Sequence, residues 1–206
     1  MFDRRLQPVI KAVFAAPARV LAANGVSADA LTLIGFTVGL AGAGCLASRA
    51  YLSALLLLMV NRIFDGLDGA VARLTGPTDR GAFLDIALDF FVYASVPFGF
   101  AVADPPDNAL AACALLLGFM GTATSFLAFA IVAERRGLTS LAFPQKGIYY
   151  LGGITEGAET IAFFVAMCFL PAWFSRLAWV FTVLCLITAA TRWFWGWRAF
   201  ASSARG

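Results

Sequence analysis

The chain has 206 residues, 61% of them hydrophobic and 13% charged, with a formal net charge of +3 and a mean hydropathy of +0.85. This is more apolar than a soluble globular domain of such length and points to lipid as the solvent; nothing in the charge balance points to nucleic acid. Histidine is absent, and Cys45, Cys113, Cys168 and Cys185 stand singly without CxxC spacing. Zinc sites and Ser-His or Cys-His nucleophiles are therefore set aside together, and the thiols read as small apolar packing residues.

In chain order, residues 5–22 space Leu6, Val9, Ile10, Val13, Phe14 and Val20 between charges, the pattern of a helix lying in the membrane interface, with Pro8 and Pro17 as interruptions. Asp3, Arg4, Arg5, Lys11 and Arg19 leave no clean apolar segment for a cleavable signal, so the N-terminus is expected to stay cytoplasmic. Asn24-Gly25 ends this helix, and Ser27 or Asp29 can cap the next.

Six spans are predicted at 30–48, 51–74, 82–103, 108–133, 148–170 and 174–197, each close to the roughly 20 residues a bilayer needs. Gly35, Gly39 and Ala43 recur every four residues on the first span, a spacing that allows close helix contact. The expected fold is all-α: one domain over residues 1–206, with an interfacial helix at 5–22 and a bundle of six transmembrane helices over 30–197. Of fifteen Lys and Arg residues, only Arg49 and Arg176 fall on one side of such a bundle. By the positive-inside rule the other side, with both termini and the turn near Gly76, faces the cytoplasm.

Four acids break the apolar pattern. Asp65 and Asp68 are three apart on the second span, and Asp85 and Asp89 four apart on the third, so each pair shares a helical face. Asp68 with Asp85, and Asp65 with Asp89, are spaced almost equally about residues 76 and 77, so folding the hairpin brings all four together. At about 1.5 Å per residue the outermost acids lie roughly 18 Å along the chain from the turn centre. Clustered carboxylates in a low dielectric need cations. Arg62 and Arg73 could supply two charges in a purely structural network; oxygen-only metal ligation would instead favour Mg²⁺ or Mn²⁺ over zinc.

The residues Asp65-Gly66-Leu67-Asp68-Gly69-Ala70-Val71-Ala72-Arg73, seven more, and then Gly81-Ala82-Phe83-Leu84-Asp85-Ile86-Ala87-Leu88-Asp89 resemble the signature of the CDP-alcohol phosphotransferase (CDP-alcohol phosphatidyltransferase) family, with all eight defining residues in place. The resemblance implies that Asp65, Asp68, Asp85 and Asp89 surround two divalent ions, Mg²⁺ or Mn²⁺, and that Asp89 is also the base for the acceptor hydroxyl. It further implies that Gly69, Ala72, Arg73 and Gly81 accommodate the CDP moiety, although the small residues also suit plain helix packing. The implied reaction is attack of an alcohol hydroxyl on the lipid-linked phosphorus of CDP-diacylglycerol, expelling CMP without a protein nucleophile. A homodimer is implied by the resemblance alone.

The acceptor is less legible. Lys146, Glu156, Glu159 and Arg192 are the candidates: carboxylates suit an amino alcohol, whereas basic groups suit a phosphorylated polyol. Arg192 also reads as a flanking charge expected from topology, and Glu156 and Glu159 as structural acids. Phe90, in place of a lysine, weakens kinship with phosphatidylglycerophosphate and cardiolipin-type relatives. Two other functions fit the acids: transfer from a CDP-amino alcohol to diacylglycerol, and divalent-cation transport. Transport needs a polar path through the outer half of the bundle, and that half is almost wholly apolar.

Overall fold

The computed structural model describes residues 3–137 and 153–201. These form α1 (Asp3–Ala23), α2 (Ala28–Ala47), α3 (Tyr51–Thr75), α4 (Asp79–Ala103), α5 (Pro105–Arg135), α6 (Gly157–Phe169) and α7 (Phe174–Ala201), with a 3₁₀ turn at Pro171–Trp173 and no strand among the described residues. The all-helical expectation is met. α2, α4, α5 and the stretch Pro171–Ala201 are long and apolar enough to cross a membrane. α3 is equally long but carries Arg62, Asp65, Asp68 and Arg73. Large apolar side chains such as Leu52, Phe98, Leu110 and Leu117 stand exposed on the outer surface, the pattern of a protein whose surroundings are lipid.

The helix starts follow local chemistry. Gly25 takes φ +76°, ending α1 and letting Ser27 cap α2 by accepting from the Ala30 amide at 3.2 Å. Asp29, the alternative cap, pairs instead with Arg80 of α4 at 2.5 Å. The predicted span at 148–170 needs correction, since α6 begins only at Gly157 and Gly153–Glu156 is not helical; residues 148–152 lie outside the described residues. The physical reason is a capping box. The Glu156 side chain accepts from the backbone three residues on, and the Glu159 side chain accepts from the Glu156 amide at 3.2 Å, fixing the helix start there.

α2 packs on α3 and α4, α5 packs on α7, and α1 lies against α3. A main core holds Leu58, Val96, Phe100, Leu115, Phe164, Phe174 and Phe181, with Phe100 stacked on Phe174 and Phe163 on Phe181 at 4.3 Å between centroids. A smaller one joins Ala18 of α1 to Leu31, Ala70 and Val71. Arg49 ties the α2–α3 turn to the α4–α5 turn, donating through Nε to the Ala103 carbonyl at 2.9 Å. Cys168 and Cys185 are buried, Cys45 is half-buried and Cys113 exposed; all four are free thiols.

The close approach expected of the α2 glycines is present: a Cβ on Gly35 would lie 2.8 Å from Phe64 Cβ, and one on Gly39 would lie 2.9 Å from Val92. The tightest backbone contact comes from the α4 side, where a Cβ on Gly99 would sit 2.8 Å from the Ala43 carbonyl oxygen. That oxygen cannot rotate away as a side chain could. Gly99→Ala is expected to destabilise the protein by about 1–3 kcal/mol, read as a lowered unfolding midpoint in detergent. An unchanged midpoint would mean that α2 and α4 are not held at this distance.

Candidate active site

α3 and α4 form a hairpin. Its turn needs Gly76, at φ +99°, and starts α4 through Thr78, whose hydroxyl accepts from the Gly81 amide at 3.1 Å. The hairpin faces α2, and the cleft between them is lined by Thr32, Gly35, Phe36, Asn61, Leu88, Val92 and all four aspartates, Asp65, Asp68, Asp85 and Asp89.

Within the cleft the acids divide into three and one. One carboxylate oxygen from each of Asp65, Asp68 and Asp85 lies within 4.8 Å of the other two. Asp68 is buried, and its Oδ2 accepts from the Thr32 hydroxyl of α2 at 2.6 Å, which fixes the direction of the carboxylate. Asp89 lines the same cleft but turns both oxygens to Arg62, with Oδ1 2.6 Å from Nη2 and Oδ2 3.4 Å from Nη1. Arg62 Nη1 also lies 3.5 Å from Asp65 Oδ2.

Arg62 is itself tied down. Its Nε and Nη2 donate to Asn61 Oδ1 at 2.9 and 2.7 Å, and Nη1 donates to the Tyr93 hydroxyl at 2.9 Å. The guanidinium carbon stands 5.0 Å from the Tyr93 ring centroid. Buried Asn61 is anchored through Nδ2 to the Gly35 carbonyl at 2.8 Å. Three helices thus converge on one side chain. Thr32, Asn61 and Tyr93 are the site residues that sequence reasoning missed, and Asn61, a lone amide in an apolar run beside Arg62, was the available signal.

Three carboxylates converging in a partly buried cleft repel one another unless a cation joins them. Their hard, oxygen-only donor set fits Mg²⁺ or Mn²⁺, with coordination left over for water or phosphate oxygens.

The residues expected around CDP lie on the turn side of the acids. Gly69 is half-buried, with the Arg73 guanidinium as its near neighbour, 3.3 Å from where a Cβ would stand. Ala72 is half-buried and Arg73 exposed in the last turn of α3. A Cβ on Gly81 would meet Asp29 Oδ1 and Thr78 Oγ1 at 3.1 Å, so the helix cap already accounts for glycine there.

The acceptor candidates are scattered by comparison. Lys146 lies outside the described residues. Glu156 and Glu159 form the capping box of α6. Arg192 is buried in α7 rather than solvated, donating through Nη1 to the Thr122 carbonyl at 3.0 Å beside the Phe126 ring. Next to it, Thr188 accepts from the amides of Ile154 and Thr155 at 3.2 and 3.1 Å, which moors the start of the α6 segment on α7.

Comparison with known proteins adds the rest. The CDP-alcohol phosphatidyltransferase family model matches residues 25–191. Inner membrane protein YnjF of Escherichia coli is 48% identical over 205 residues, spanning 100% of both chains. Archaetidylinositol phosphate synthase of Pyrococcus horikoshii is 33% identical over 99 residues, 48% of this chain and 53% of that one. Among solved structures, Mycobacterium tuberculosis phosphatidylinositol phosphate synthase (PgsA1) with CDP-DAG bound superposes with a TM-score of 0.75 at 23% identity, covering 94% of this chain and 98% of that one. The same enzyme with manganese and citrate gives 0.73 at 24% identity, covering 94% and 93%. At such identity these structures establish the shared fold. With the signature hairpin folded into one cleft and the family model spanning most of the sequence, the chain belongs to the CDP-alcohol phosphatidyltransferase family of enzymes.

Proposed function

We propose that the protein transfers a phosphatidyl group from CDP-diacylglycerol to the hydroxyl of a small alcohol, releasing CMP, in phospholipid synthesis at a bacterial inner membrane. The observation that carries this reading is the convergence of Asp65, Asp68 and Asp85 on one point of a cleft whose fourth acid, Asp89, is held separately. In this reading the three-carboxylate set holds Mg²⁺ or Mn²⁺. When bound, such an ion neutralises the diphosphate and the charge that develops on the leaving CMP. Gly69 and Ala72 leave room for the nucleotide beside the α3 backbone, and exposed Arg73 in the last turn of α3 offers it a guanidinium. Asp89, oriented at both oxygens by Arg62, takes the proton from the acceptor hydroxyl.

A phosphorylated polyol is favoured over an amino alcohol as acceptor. Glu156 and Glu159 are engaged in capping α6; Arg192, which donates to the Thr122 carbonyl, also brings its guanidinium to within 3.2 Å of where a Cβ on Gly153 would stand, beside the polar segment that precedes α6. The names of two relatives, an archaetidylinositol phosphate synthase and a phosphatidylinositol phosphate synthase, are in keeping with that choice.

Six crossings, with α3 and α6 traversing beside the four long apolar segments, α1 in the interface and both termini cytoplasmic, complete the proposal. The distribution of Lys and Arg supports this orientation. A homodimer is the proposed assembly.

The test is CMP release by the purified protein in liposomes. Rapid release is expected with CDP-diacylglycerol and a phosphorylated polyol, and chelation with EDTA should remove it. Release only from CDP-amino alcohols with diacylglycerol would reverse the donor assignment. Metal flux without CMP from any pair would replace the enzyme with a transporter.

A further inference from the structure

We propose that Arg62 takes the place of a second metal ion in this site: it holds Asp89 in position and limits the cleft to one divalent ion, at Asp65, Asp68 and Asp85. The inference rests on the metal-dependent reading above. The four-acid signature implies two ions with Asp89 among their ligands, yet the cation beside Asp89 in this chain is a guanidinium, paired with both carboxylate oxygens and reaching Asp65 on its other side.

Two features distinguish Arg62 from a loose counter-ion that would retreat before an arriving metal. The first is the geometry of the pair with Asp89: both terminal guanidinium nitrogens meet the carboxylate, one oxygen closely at 2.6 Å and the other at 3.4 Å, the fork-to-carboxylate match that arginine offers. An ion using Asp89 as a ligand would have to displace Nη2 from its 2.6 Å contact. The second is the support behind it. Asn61 binds Nε and Nη2 from below and is locked to α2 through the Gly35 carbonyl, while Tyr93 of α4 contributes both its hydroxyl and its ring face. Withdrawing the guanidinium would take from buried Asn61 Oδ1 its two donors and from Asp89 its paired charge, a costly exchange in a partly buried site. Arg62 acts through Asp89 and the metal site and is therefore a positioning residue.

The experiment counts bound Mn²⁺, the metal alone being the probe, in the full-length protein in lipid nanodiscs, by equilibrium binding and electron paramagnetic resonance. Wild type is expected to bind one Mn²⁺ per chain with the spectrum of an isolated ion. Arg62→Gln frees Asp89 and should bind two, with the spin-coupled spectrum of ions about 3.5–4 Å apart. Arg62→Lys keeps a positive charge near Asp89 and should stay at one. Two coupled ions in wild type would overturn the inference and leave the metal-dependent reading standing. One ion in both wild type and Arg62→Gln would show that Arg62 is not what excludes the second, and would equally overturn it. No Mn²⁺ binding to wild type would remove the metal reading and the inference together. Because the wild-type count is itself decisive, a variant that fails to fold does not shield the idea.

Discussion

Asp68→Asn is expected to reduce CMP release from CDP-diacylglycerol by about 10³-fold or more, the scale set by losing several kcal/mol of charge stabilisation around the diphosphate. Asp68 is the most buried of the acids, and its carboxylate is aimed by the Thr32 hydroxyl. Asparagine has nearly the same shape, and its carbonyl oxygen can still accept from Thr32, so the helix packing around it should persist. What it lacks is the negative charge that a divalent ion shared with the other two carboxylates requires. The variant should fold with a melting profile close to wild type, bind Mn²⁺ far more weakly and lose turnover with any acceptor. Normal Mn²⁺ affinity in Asp68→Asn would remove it from the ligand set, whatever the effect on rate.

Asp89→Asn should be nearly as damaging to turnover, about 10²–10⁴-fold, but for a different reason and with a different signature. Asparagine keeps the oxygen that Arg62 Nη2 contacts and cannot take a proton from the acceptor hydroxyl. Mn²⁺ binding at Asp65, Asp68 and Asp85 should therefore stay within a few fold of wild type while the chemical step slows. Measured side by side, the two variants separate metal holding from proton transfer: one loses affinity and rate, the other rate alone. Retained turnover in Asp89→Asn would remove its role as base, and a collapse of metal affinity would place it among the ligands.

What could be read from the residues alone was governed by features local in sequence. Spacings of three and four put each aspartate pair on one face, and equal distances from the turn brought the pairs together. Ser27 at a helix start and the glycine row of α2 likewise act through nearest neighbours. The misplaced start of α6 has the opposite character. Glu156 and Glu159 sit in an apolar context where an i, i+3 pair looks the same whether it lies within a helix or closes one, and only the backbone directions distinguish the two. The partition of the acids into three and one was equally hidden, because it depends on Asn61, Tyr93 and the Gly35 carbonyl meeting across three helices. Arg192 reads as a flanking charge until α5 and α7 are seen to close around it.

Arg62 and Asp65 are one helical turn apart on the same strand of polypeptide. Their attraction therefore requires nothing that is synthesised later, and where α3 crosses the bilayer as proposed it meets lipid with one of its acids already matched. Asp68 has no such companion within reach on its own helix; its hydroxyl donor comes from α2, the helix made just before. Asp85 and Asp89 arrive last, on α4. In the proposed topology the order of emergence gives Asp65, Asp68 and Asp89 each a partner made before it or beside it, so that these charges do not enter lipid unaccompanied.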